Sequence, residues 1–176
     1  MKRDRYTPGK IGIMALFVSL GIILQYIESR IMITSVPGGK LGLCNIISII
    51  NIFMFGGKNA MIIALVRAFL GTFLTGGATA LPYSMAGALF STLTMCLAKR
   101  YMYPKISMVG MSVIGASVHN LSQLCVAAVV LSSPYIFSYL PMLLLMAVAS
   151  GVVTGFGAQV LGNRILKSGD MICKRQ

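Results

Sequence analysis

The sequence predicts an all-α, polytopic membrane protein folded as a bundle of six transmembrane helices. Its basic residues are the first observation. Twelve of fifteen Lys and Arg fall into four clusters: Lys2, Arg3, Arg5 and Lys10; Lys58; Lys99, Arg100 and Lys105; and Arg164, Lys167, Lys174 and Arg175. Each gap between clusters is long enough to cross a bilayer and return. Lys and Arg are held on the cytoplasmic side during insertion, so both termini are expected in the cytoplasm of a cell-membrane protein. Composition is the second observation. With 57% hydrophobic residues, 10% charged residues and a mean hydropathy of +0.86, the chain lies outside the soluble range. The third is length: six spans use nearly all 176 residues, leaving residues 1–176 as a single integral membrane domain.

The spans follow in order. The first is expected over 11–27, leaving a basic N-terminus and ending before Glu28 and Arg30. No small-residue cleavage site follows it, so it reads as a retained helix and not a signal peptide. Pro37, Gly38 and Gly39 break the chain before the second span, 41–55. At ~1.5 Å per residue that span reaches only ~22 Å, short of a ~30 Å hydrocarbon core. It is therefore expected to start below the outer surface, beside a protein-lined cavity. Gly56, Gly57, Lys58 and Asn59 make a tight turn into the third span, 60–74, and residues 75–79 turn back into the fourth, 80–98. The basic segment 99–105 leads to the fifth span, 106–131. Pro134 and Pro141 leave two possible starts for the sixth, written here as 135–164, and the polar tail from Lys167 is expected to fray. Trp is absent, so Tyr6, Tyr26, Tyr101, Tyr103, Tyr135 and Tyr139, all near span ends, supply the interfacial belt.

Charge and cysteine usage narrow the function classes. A formal charge of +12 is spread over connections and ends without forming one aromatic-interleaved surface. Anionic inner-leaflet lipid is thus its expected counterpart, not nucleic acid. Cys44, Cys96, Cys125 and Cys173 form no CxxC and have no His at metal-ligand spacing, which points to free thiols, no metal and no cofactor. Three sit in apolar spans, where Cys behaves as a small hydrophobe.

Polar groups at membrane depth mark the candidate site. Arg67 lies in the middle of the third span, where a charge costs ~2.5–3.5 kcal/mol even on the lenient insertion scale. Such a residue either faces a ligand cavity or clamps helices together, and Glu28 is the one acid near any span. His119 and Gln123 share a face of the fifth span, with Asn120 beside them. Each needs a partner where water is absent, either a ligand or a neighbouring helix. Asn45, Ser48 and Asn51 give the second span a weaker polar stripe. Together these residues predict an outward-opening pocket, with Lys40 and Asn45 near its mouth and Arg67, His119, Asn120 and Gln123 deeper. Its positive balance favours a small anionic or amphiphilic molecule as substrate.

Small residues recur at helical spacing. Ala15 and Ser19 form a pair on the first span, and Ala147, Gly151 and Gly155 a stripe on the sixth. In lipid, small side chains let backbones approach, either inside the bundle or against a separate membrane subunit. Nothing in the chain supplies catalysis. It has no phosphate loop, no Ser-His-Asp or Cys-His arrangement, and no clear inverted halves. Its three acids, Asp4, Glu28 and Asp170, are too scattered to hold magnesium diphosphate. The chain reads as a binding protein, not an enzyme.

Three stretches taken together carry a family resemblance: Pro37-Gly38-Gly39-Lys40-Leu41-Gly42-Leu43-Cys44-Asn45-Ile46, Arg67-Ala68-Phe69-Leu70-Gly71 and His119-Asn120-Leu121-Ser122-Gln123-Leu124. The chain resembles the bacterial Gx transporter family, also labelled heptaprenyl diphosphate synthase component I, over about 11–166. That family is similar to the substrate-binding S components of energy-coupling factor (ECF) transporters. The resemblance implies a six-helix bundle that captures a small molecule outside. It then docks on a transmembrane coupling subunit driven by two cytoplasmic ATPases. In S components an Ala-xxx-Ala motif on the first helix makes that contact, and Ala15 and Ser19 are the matching pair here. The family label offers the alternative role, a membrane accessory subunit of polyprenyl diphosphate synthesis.

Overall fold

A computed structural model describes residues 7–30, 42–75 and 77–173. Among these nearly every residue is helical, with five long helices: α1 (Pro8–Arg30), α2 (Cys44–Thr75), α3 (Leu81–Met102), α4 (Met108–Val130) and α5 (Leu140–Cys173). All five are long and apolar enough to cross a membrane. Short 3-10 turns, Ala78–Ala80 and Pro134–Tyr139, lead into α3 and α5. Proline opens α1, and Pro82 lies in the first turn of α3, where a missing N–H costs nothing. Ser107 caps α4, its side chain accepting from the Gly110 N–H at 3.2 Å.

The expected second and third spans form one helical element, α2, broken at Gly56. There φ is 79° and ψ 168°, a backbone region that only glycine occupies without strain. The chain folds back at this point. Ile47 and Ile50 from the first arm share a buried cluster with Ile63 of the second and Phe17 of α1. A continuous helix would hold Ile50 and Ile63 ~20 Å apart. The turn is sharper than the sequence suggests, because Gly56 alone leaves helical geometry. The first arm starts at Cys44, after a turn in which Gly42 takes φ 74°.

The sixth span starts before Pro141. A 3-10 turn covers 134–139, α5 begins at Leu140, and Pro141 sits in its first turn. The helix then runs to Cys173, beyond the end expected near Arg164. Its register carries through the polar tail because no proline interrupts it.

The interior mixes apolar and polar side chains, while the exterior is largely apolar, unlike that of a soluble bundle. Leu16, Phe73, Phe90 and Phe156 face outward, whereas Asn51, Ser91, Thr92, Ser112 and Thr154 are buried. An apolar exterior of this kind suits a hydrocarbon surrounding, in which polar groups can be satisfied only inside the bundle. α4 and α5 meet most closely. A Cβ on Gly151 would lie 2.7 Å from Val113 Cα, and one on Gly155 2.6 Å from Val109 Cα. Beside them the Ser112 and Thr154 hydroxyls bond at 2.8 Å. The small stripe on the last helix is thus consumed by internal packing.

Basic residues gather at the elbow end. Lys58 and Lys105 are exposed there, and Lys99 Nζ donates to the Ile52 carbonyl at 2.8 Å and lies 4.4 Å from the Phe53 ring centroid. This bond satisfies a last-turn carbonyl of the first α2 arm. Phe53 meets Tyr103, and Phe55 meets Phe17, in edge-on pairs at 5.2 Å and 6.0 Å.

Candidate functional site

The site forms at the opposite end from the elbow, where α1, both arms of α2, α3 and α4 converge. Gln25, Glu28, Gly42, Cys44, Asn45, Arg67, Ser84 and His119 line one cavity. Asn45 and Arg67 reach it from the two arms of α2, each eleven residues from Gly56, so the fold-back itself brings them together. The side chains close on each other and leave room for about one water molecule.

Arg67 is 5% exposed, and its Nη1 donates to Gln25 Oε1 at 3.3 Å. Gln25 Nε2 in turn contacts Thr75 Oγ1 at 3.4 Å. A guanidinium carries five N–H donors, more than this bond uses. Glu28 accepts the Gly42 N–H at 2.6 Å, fastening the start of α2 to α1. Cys44 Sγ lies 3.5 Å from the Gly21 carbonyl. Asn45 Oδ1 accepts from Ser91 Oγ at 3.4 Å, while Asn45 Nδ2 has no partner.

Glycines on the neighbouring helices make room for the polar groups. The aliphatic stem of Arg67 crosses Gly21, where any Cβ would collide with it. A Cβ on Gly71 would lie 2.7 Å from Gln25 Oε1, and one on Gly87 2.7 Å from His119 Cε1. The glycines thus set how deeply the charged and amide groups sit.

Of the residues singled out from sequence, Arg67, His119 and Asn45 line the cavity. Asn120 points elsewhere and donates to the Leu143 carbonyl of α5 at 3.2 Å, tying α4 to α5. Gln123 is buried without lining the cavity, and neither of its amide atoms has a partner. Lys40 lies outside the described residues. Ala15 and Ser19 are exposed on α1, with Ser19 Oγ bonded back to the Ala15 carbonyl at 3.0 Å. Sequence reading missed Gln25 and Ser84 as site residues. Gln25 carried a usable signal: it is the one amide in the first span and lies three residues before Glu28. Among the described residues no group of His, Cys, Asp and Glu is arranged to hold a metal, and Cys44, Cys96 and Cys125 form no disulfide.

Chemically, the arrangement is rich in hydrogen-bond donors around one cation, with a single carboxylate engaged by backbone. Five helices long and apolar enough to cross a membrane thus enclose one small polar cavity, the pattern of a helical membrane-type protein. A family model for heptaprenyl diphosphate synthase component I matches residues 17–161. The chain belongs to that family. Neither the curated proteins nor the solved structures contain a match.

Proposed function

We propose that this chain is a membrane-embedded capture subunit of an ECF-type importer, which takes up a small anionic or amphiphilic molecule through the Arg67 cavity. The observation that carries the reading is the buried Arg67 guanidinium, sharing one closed cavity with Asn45, Gln25, Ser84 and His119. A charge at membrane depth is costly unless it serves a partner, and here it faces a space lined with hydrogen-bonding groups. Arg67 anchors the negative group, and Asn45, Ser84 and His119 complete its surroundings. In this reading the two arms of α2 each cross the bilayer, giving six passes with the basic elbow end in the cytoplasm. The exposed Ala15–Ser19 face of α1 meets the coupling subunit, which two ATPases drive.

A second reading is favoured by the family's name: a non-catalytic membrane subunit of polyprenyl diphosphate synthesis, with the cavity taking the charged end of a prenyl compound. One purification separates the two. The wild-type chain in mild detergent is expected to carry a coupling subunit and ATPases, and to retain a small anion detectable by mass spectrometry. Arg67→Ala is expected to lose that anion, its binding weakened by about 2–3 kcal/mol for a charge-assisted contact. Ala15→Trp is expected to lose the partners and keep the anion. A soluble prenyltransferase in place of the ATPases would favour the second reading. A folded Arg67→Ala chain that retains the same molecule at wild-type level would sink both.

A further inference from the structure

Gln123 is 1% exposed, and both Nε2 and Oε1 lack a hydrogen-bond partner. An unmet amide is costly where water is absent, and Gln123 leaves both ends unmet. Its position gives it a use. Gln123 follows His119 by four residues and shares its face of α4, and His119 lines the cavity. The His119 ring packs on Gly87 of the antiparallel α3. That register brings Ser84, which also lines the cavity, to the level of Gln123. Asn45 Nδ2 is a second unmet donor, this one inside the lining. Asn51 is unpartnered too, but lies ~9 Å further along the first arm toward the elbow.

Resting on the capture reading above, we propose that Gln123 is the far contact of the ligand, which is a small oxyanion carrying a hydroxyl or carboxamide. The oxyanion sits against Arg67 and Asn45 Nδ2. The second group lies about 6 Å beyond the His119 level, the rise of four helical residues. Because Gln123 leaves a donor and an acceptor unmet, its partner must both accept and donate. A hydroxyl or carboxamide does so, whereas an ether or ketone would leave Oε1 unmet. Ligand entry separates the closed side chains and satisfies the amide in one step.

The test uses the full chain in detergent and two matched pairs of probes, each differing by one terminal hydroxyl: butyrate with 4-hydroxybutyrate, and propyl phosphate with 3-hydroxypropyl phosphate. Affinity is read from the dependence of thermal unfolding on probe concentration. In at least one pair the hydroxylated member is expected to bind about tenfold more tightly, the value of one good hydrogen bond. The pair that responds identifies the oxyanion as carboxylate or phosphate. Gln123→Leu is expected to remove that preference, and, without probe, to unfold no earlier than wild type because two unmet polar atoms are gone. Equal affinity within both pairs, a preference that survives in Gln123→Leu, or a less stable Gln123→Leu chain would each overturn the proposal. Arg67→Ala separates this from the reading beneath it. If the simple anions stabilise wild type and not Arg67→Ala, capture at Arg67 stands whatever Gln123 does. If none of the four probes binds wild type, both fall.

Discussion

His119, Gln25 and Arg67 are each seated over a glycine, so the depth of the site is set by atoms that are missing. A methyl on Gly87 would lie 2.7 Å from His119 Cε1, and the ring cannot retreat far because it is buried. Gly87→Ala is therefore expected to destabilise the chain by about 1–3 kcal/mol through overpacking and to weaken anion retention. Gly12→Ala, whose Cβ meets nothing within 4 Å, is expected to hold or slightly raise stability. Thermal unfolding of both variants checks this, and equal midpoints would remove the glycine argument. Arg67 and His119 were legible in the sequence because a cation and an imidazole stand out in apolar runs. Gly71 and Gly87 were not, because a glycine's value depends on which side chain of another helix crosses it. Gln123 and Asn120 look alike in sequence. Only helix pairing shows that one bonds to α5 while the other bonds to nothing.

At the scale of elements, the α2 elbow positions both Asn45 and Arg67. The φ 79°, ψ 168° geometry of Gly56 is closed to residues with a Cβ, at a cost of about 1–3 kcal/mol. Gly56→Ala is expected to lower the unfolding midpoint and to weaken anion retention, although no cavity atom is altered. Lys58→Ala, exposed two residues on, is expected to leave both unchanged. Retention at wild-type level in a stably folded Gly56→Ala chain would separate the elbow from the site. The turn itself was legible from Gly56-Gly57-Lys58-Asn59. Its sharpness was not, since a pair of glycines does not say which one leaves the helix. The two small-residue stripes also parted only in three dimensions: Gly151 and Gly155 pack against α4, while Ala15 and Ser19 face outward.

For the molecule as a whole, the proposed orientation rests on the separation of charge from the cavity. Lys58, Lys99, Arg100 and Lys105 lie at the elbow end, and the cavity lies toward the other. Cysteine placed at Lys58 or Lys105 is expected to react with a membrane-permeant maleimide only, whereas cysteine at Thr79 reacts with an impermeant reagent added outside cells. Labelling in the reverse pattern would invert the protein. The all-helical fold with long apolar helices was legible because hydrophobicity acts over whole segments. The merging of two spans into one bent element was not, because it turns on a single backbone dihedral.

The Lys99–Ile52 bond bears on how the chain is made. The first arm of α2, residues 44–55, is ~18 Å long and too short to settle in a bilayer alone. The residue that holds its end is 47 positions later in the sequence. During synthesis this hold on the end of the arm forms only after α3 has been made. Nascent chains halted before Lys99 would leave residues 44–55 open to protease. Chains long enough for α3 to clear the ribosome are expected to protect them, and since Ser84 of α3 lines the cavity, the lining is completed only then.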